Sequence, residues 1–491
     1  MPRPWLHEPQ EWRGHWWLPE APERRMAGWL RYEPGEGLTL TLIGGFDDDR
    51  WVEVAPGVHS LSGDRKTFAL IHGQAGATEI TLFDSDATRT VNNIFGFQGP
   101  TEQTVTSVTA LIGVHVQGQD DAQFAKVHCL IEDSWLWSSR HAMQAQTSLN
   151  EERTNFTGEA SMEMKPVDEV RAEADGWDFK LAHWLILPTF DHTRGAAIGR
   201  MEDSAVFTVS RDETFSYAEV QSLLWALQDL LALATGRGPS ILWFTLRVAD
   251  DKSEQPARQV DVFTRSRGTG DPKAKALDSR ELVFSLEDIP FGEVIPRWWG
   301  VRERFRASCN MALGSRYGGP GYLETMLTTA VTAAESFHKD LGEPAPVPKA
   351  VMDELVGKAV DAMPEDRKQW IKNVIPRGHS LRQRLDRLAD RLPEKCRARL
   401  LPNAAAWAKA AKEARNDLSH SGKTDEDMRR LYAIMRITRA VVLLNILIEM
   451  GLPEDRLLKA LSENSQLSHA CDLARKYFPA TAQQSGTEAV K

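Results

Sequence analysis

The chain has 491 residues, 42% apolar and 26% charged, with a formal net charge of −10. That length exceeds what one hydrophobic core serves, so two or three domains of an ordinary soluble globular protein are expected. Cys129, Cys309, Cys396 and Cys471 lie far apart with no CxxC or Cys/His cluster, which argues against a disulfide framework and a structural zinc site and fits a reducing cytoplasm.

MPRPWLHEPQEW lacks the basic-then-apolar layout of a secretion signal. Short β-branched runs follow: LTLTLIGG (38–45), TFALIHG (67–73), ATEITLFD (77–84), TSVTALIGVHV (106–116), AKVHCLIED (125–133), WDFKLAHWLILP (177–188) and SAVFTVS (204–210). Separated by Gly, Asp or Asn turns, they predict an antiparallel sandwich or barrel. A packing helix interrupts them: Ser216 and Glu219 have capping-box spacing, Val220, Leu223, Leu224, Leu227, Leu230, Leu231 and Ala234 form its stripe, and Gly236 ends it. The GRG there lacks Walker spacing and follows a helix, not a strand, so no phosphate loop is expected. Strand-like pieces resume at 241–250 and 259–266.

The Gly/Pro-rich stretch ASCNMALGSRYGGPGY (307–322) is the expected domain boundary, because the period afterwards is helical. Helices are expected from 322, after the proline linker EPAPVPK, and through 351–362, 365–374 and 380–392. Asn403 caps an alanine-rich helix, and Thr424 with Asp427 caps the next. LYAIMRITRAVVLLNILIEM (431–450) carries Arg436, Arg439, Asn445 and Glu449 and reads as a buried core helix, not a membrane span. The expected fold class is therefore α+β multidomain, a β-rich N-terminal region followed by an all-α helical bundle. The expected divisions are 1–145 (β-rich), 146–320 (mixed α/β continuation), 321–480 (helical) and 481–491 (disordered tail).

Two distributions are uneven. Fourteen of sixteen tryptophans precede residue 300, and in Trp16-Trp17 and Trp298-Trp299 strand alternation would expose one of each pair. A ligand-binding β domain with a helical dimerisation appendage would use such surplus tryptophans, although core packing explains most of them. Between Arg367 and Arg415 there are fourteen Lys/Arg against four Asp/Glu, which places a basic region inside an acidic protein. It reads either as a solvated helical face or as a surface for RNA.

The basic region ends in ARNDLSHSG (414–422). Arg415 offers a permanent planar cation suited to phosphate, and His420 exchanges protons near neutral pH at a helix C-terminus. Those are the groups that RNA cleavage through a ribose 2′-OH requires, with Asn416 and Asp417 able to orient them. On one regular helix the two side chains point about 140° apart. Convergence then needs either an early helix exit at Ser421-Gly422 or a second copy across a symmetric interface. The plain alternative is that Arg415 pairs with Glu413 or Asp417 while His420 caps the helix.

RNDLSH in this setting resembles the HEPN ribonuclease superfamily, whose signature is Arg, a polar residue, a few positions, then His. TTAVTAAESFHKDL is similar to the first HEPN helix of the ApeA-like anti-phage group. EWRGHWWLPEAPERRMAGWLRYEPGEGLTLTLIGG, LLALATGRGPS and IPRWW are similar to that group's β-rich N-terminal domain. The resemblance implies a HEPN bundle acting as a metal-independent, homodimeric endoribonuclease in abortive infection. No cofactor, metal or membrane is implied. Transfer RNA is the implied substrate, with a 2′,3′-cyclic phosphate product, and a phage-derived protein is a possible trigger. His420 would be the acid/base, Arg415 the phosphate clamp, Asn416 a positioning residue and Glu335 the acidic residue facing the motif. Arg382, Arg384, Arg387 and Arg391 would hold RNA backbone, while the acidic N-terminal region senses the infection or restrains the nuclease. The competing implication is a non-catalytic HEPN module that binds nucleotide, RNA or protein.

Overall fold

The structure, a computed structural model, describes residues 4–46, 51–55, 58–61, 66–92, 100–150, 152, 155–249, 258–265, 275–318, 321–375, 378–422, 424 and 426–480. The expected disordered tail, 481–491, lies outside them. Sixteen strands are found among the described residues: β1 (Gln10–Trp17), β2 (Met26–Glu33), β3 (Gly37–Ile43), β4 (Trp51–Ala55), β5 (Val58–Leu61), β6 (Thr67–Ala75), β7 (Thr78–Asn92), β8 (Pro100–Ile112), β9 (Phe124–Ile131), β10 (Met143–Leu149), β11 (Phe156–Met164), β12 (Val170–Ala174), β13 (Trp177–His192), β14 (Ala197–Phe215), β15 (Ile241–Val248) and β16 (Gln259–Thr264).

Strands β1, β2, β3, β8, β7 and β6 close into a six-stranded antiparallel barrel. Its lining follows from period-2 alternation: Leu38, Leu40 and Leu42 of β3 are buried while Thr39 and Thr41 between them are only half-buried. Strand β8 extends the barrel into a second arm. Residues Glu102–Ser107 pair with β3, whereas Thr109–Ile112 pair with β16, so the ladder runs on through β15, β9, β14, β13 and β12. β9 therefore lies between β14 and β15, strands from the far side of residue 145, and the sheet does not divide there. The polar stretch behind that expected division is instead the separate β10–β11 hairpin, largely exposed.

The exposure expected within Trp16-Trp17 is overturned, because both rings are buried. Gly73 opposite Trp16 leaves the space that ring fills, since a Cβ there would come within 2.3 Å of it. Trp17 is enclosed edge-on by His72 and His115, with the Arg25 guanidinium 4.3 Å from its ring centroid. Trp298 is buried and Trp299 half-buried, on a helix where strand alternation does not apply.

His128 of β9 shares a 2.9 Å hydrogen bond with the Thr208 hydroxyl, and burial pushes its pKa down from 6.5 to about 4. An unfolded chain takes up this proton near pH 6.5 while the folded one resists until about 4, so stability held above 6.5 is lost as pH falls through that window. The loss is about 2 kcal/mol, discounted for partial solvent contact. Urea titrations at pH 7.5 and 4.5 should show the difference between the two pH values shrinking by that amount in His128→Gln.

Thirteen α-helices are described: α1 (Ser134–Ser138), α2 (Tyr217–Thr235), α3 (Phe291–Arg304), α4 (Arg306–Gly314), α5 (Leu323–Asp340), α6 (Lys349–Asp361), α7 (Lys368–Val374), α8 (Leu381–Asp390), α9 (Glu394–Leu400), α10 (Ala404–Ser421), α11 (Met428–Glu449), α12 (Glu454–Glu463) and α13 (Ser465–Tyr477). The α2 capping box forms as expected, the Ser216 N–H donating to Glu219 at 2.9 Å and the Glu219 N–H to the Ser216 hydroxyl at 3.3 Å. Gly236, at φ +75°, ends that helix.

The chain forms two compact units, residues 1–231 with 238–276, and residues 232–237 with 277–491. The helical unit thus begins earlier than the expected boundary at 320, because α4 packs on α5 and α3 on α11. Within it α11 is the central helix: it is long and apolar enough to cross a membrane, yet 78% of its most apolar window is buried inside the protein. Its N-cap is Asp427, which accepts from the Arg429 and Arg430 N–H groups, while Thr424 accepts from the Glu426 N–H in the preceding turn.

Candidate active site

Helix α10 carries ARNDLSHS, and its placement follows from its alanines. Trp407, Ala408, Ala411 and Ala414 form the buried stripe, and these small side chains let α5, α8 and α11 approach. Trp407 sets the depth, donating from Nε1 to the Thr438 hydroxyl of α11 at 3.3 Å. Asn403 caps the start by accepting from the Ala406 N–H. Gly422, at φ +68°, ends the helix with an N–H bond to the Leu418 carbonyl. The helix runs through Ser421 and the chain leaves it at Gly422, as expected, but this keeps His420 in the regular last turn, where it stands exposed.

Arg415 is three-tenths exposed at the side chain, as is Glu335 of α5. One Glu335 oxygen lies 3.6 Å from Arg415 Nη2 and the other 3.6 Å from Arg384 Nη1, so a single carboxylate sits between two guanidinia. Arg384 also donates to the Glu335 carbonyl at 3.5 Å and, from Nε, to the His379 carbonyl at 3.0 Å. Arg415 Nη1 donates to Asn416 Oδ1 at 3.4 Å, and its buried Nε finds no hydrogen-bond partner among the described residues. Glu413 faces Lys409 instead. Truncating Glu335 would leave two guanidinia opposed. Glu335→Ala is expected to cost the helical unit about 1–2 kcal/mol and Glu335→Gln less, measured by chemical denaturation.

The four arginines read as an RNA face are deployed unequally. Arg382 is tied to Asp386 one turn on, Arg384 to α5, and Arg391 to Asn445 and Glu449 of α11. Arg387 is the most open, 58% exposed, with Glu343 at 3.8 Å. Arg384 and Arg391 therefore act first as struts between helices. Arg387, Lys395 and Arg399 present charge to solvent.

Two family models match the chain. ApeA N-terminal domain 1 covers residues 11–298, and Apea-like HEPN covers residues 328–456, which include Glu335 and the whole of ARNDLSHS. The chain belongs to the ApeA-like HEPN family. No curated protein and no solved structure matches it.

A second group of polar side chains adjoins the site in this ApeA-like HEPN domain. His338, one turn beyond Glu335 on α5, is only 3% exposed, and its Nε2 lies 3.3 Å from Glu343 Oε2. Its ring meets that of His379 edge-on with centroids 5.0 Å apart. Burial lowers the His338 pKa against the opposing pull of Glu343. Sequence reading assigned these residues nothing, since His338 and His379 lie far apart in the chain and no short spacing links them.

Proposed function

We propose that this chain is a HEPN endoribonuclease acting in anti-phage abortive infection, with transfer RNA as substrate and no metal in the chemical step. Arg415 holds the phosphate, Asn416 and Glu335 orient Arg415, and His420 transfers the proton. The observation that carries this reading is the state of Arg415. Its guanidinium is braced by Glu335 from a neighbouring helix, keeps unbonded donor capacity, and precedes an exposed His420 on the same helix.

In the reaction the ribose 2′-oxygen attacks the adjacent phosphorus and the bond from phosphorus to the 5′-oxygen breaks. A 2′,3′-cyclic phosphate and a 5′-hydroxyl result. One group accepts the 2′-OH proton and another delivers a proton to the leaving oxygen. His420 of one protomer, beside the partner subunit's Arg415, supplies one transfer, and water supplies the other. A homodimer joined through the HEPN domain meets this requirement, because Arg415 and His420 point about 140° apart along one regular helix. Arg387, with its neighbours Lys395 and Arg399, holds the RNA backbone. The N-terminal region lowers the basal rate of the nuclease, and a phage-derived protein relieves that restraint.

Purified protein incubated with total tRNA in EDTA, beside Arg415→Ala and His420→Ala, tests the reading. Cleavage in wild type alone, with cyclic-phosphate ends, is expected. Uncut tRNA bound equally well by all three proteins would instead favour a non-catalytic binding module.

A further inference from the structure

We infer that His338, Glu343 and His379 form a Zn²⁺ site beside the Arg415 centre. Their ligand atoms, two imidazole nitrogens and one carboxylate oxygen, all lie within 4.8 Å of one another. Ligands about 2.0–2.1 Å from a tetrahedral zinc lie about 3.3–3.4 Å apart. His338 Nε2 and Glu343 Oε2 already stand at 3.3 Å. That His338 nitrogen is buried, and the Glu343 carboxylate it faces at 3.3 Å is too poorly aligned to satisfy it with a full hydrogen bond, a cost that a shared cation between them would relieve.

The third ligand sits where adjustment is easy. His379 follows Gly378, whose surroundings are open, and precedes Ser380, the N-cap of α8. A movement of about 1.5 Å brings its ring nitrogen to bonding distance. Two imidazoles with a carboxylate favour zinc over magnesium or calcium, and three protein ligands leave a fourth position for water. Arg387, at 3.8 Å from Glu343, neighbours the site and exchanges its contact as the ion binds.

The ion would brace the motif. It fixes His379, whose carbonyl receives Arg384, and Arg384 holds Glu335 against Arg415. This is a positioning role, with the ion touching neither RNA nor the reacting atoms, so it is compatible with a metal-free chemical step. The link to Arg415 rests on the ribonuclease reading, whereas the binding of zinc does not.

Chelator-stripped full-length protein, titrated calorimetrically with ZnCl₂ and separately with CoCl₂ followed by visible absorption, tests the site without any RNA. One ion per chain is expected, with a tetrahedral cobalt spectrum, a raised melting midpoint in zinc and no response to MgCl₂. His379→Ala, altered in an accessible segment, and Glu343→Gln should each weaken zinc at least 10-fold and abolish the melting shift, while His141→Ala, outside the cluster, binds as wild type. Equal affinity in wild type and His379→Ala, or no binding in wild type, would overturn the inference. Zinc binding without tRNA cleavage would leave the site standing and count against the ribonuclease reading alone.

Discussion

Under the proposed mechanism, Arg415→Ala should lower tRNA cleavage by about 10²–10³-fold and His420→Ala by about 10²–10⁴-fold, the ranges expected when one electrostatic donor or one general acid/base is removed. The two losses differ in kind. In the proposed mechanism Arg415 stabilises charge on the phosphorane, so Arg415→Lys would keep the cation but not the planar fork, and only part of the rate should return. With His420 as the proposed proton carrier, His420→Ala should flatten the pH profile of any residual cleavage while Arg415→Ala should not. Circular dichroism and tRNA affinity close to wild type would exclude unfolding: His420 is exposed, and the α10 core is made by Trp407 and alanines on another face. Wild-type cleavage in either variant would remove Arg415 and His420 from the mechanism.

Legibility in the sequence followed the range of the forces involved. The α2 cap, the α10 N-cap at Asn403 and the stop at Gly422 depend on residues within one turn, and each was readable. The first two strands of the barrel were not. β1 and β2 are dense in Trp, Arg and Gly, and their burial depends on partners such as Gly73, 57 residues after Trp16. The basic run 367–415 was visible as charge, but its division into struts and open cations depends on which helix each arginine meets. Arg391 finds Glu449 and Asn445 on α11, whereas Arg387 faces outward. The brace on Arg415 was suggested by family likeness, and Arg384 as its second cation emerged only when α8 was packed against α5.

Mixing two inactive variants should restore activity. Arg415 and His420 lie five positions apart on a helix that stays regular through Ser421, a rotation of about 140°, so one protomer cannot aim both at the same phosphate. A two-fold dimer would remove the conflict by placing Arg415 of one copy beside the partner subunit's His420. Arg415→Ala and His420→Ala chains, co-expressed with different tags, would form half their dimers as heterodimers under random pairing. In each heterodimer one composite site keeps both groups and the other lacks both, so the mixture recovers about a quarter of the wild-type rate. Sequential affinity capture isolates the heterodimer, which should then reach about half. Each variant alone stays at its own low level, so recovery would be unmistakable. Cleavage in wild type with no recovery in the isolated heterodimer would mean that each chain carries a complete site. His420 would then have to swing toward Arg415 when RNA binds, by unwinding the last turn of α10 before Gly422.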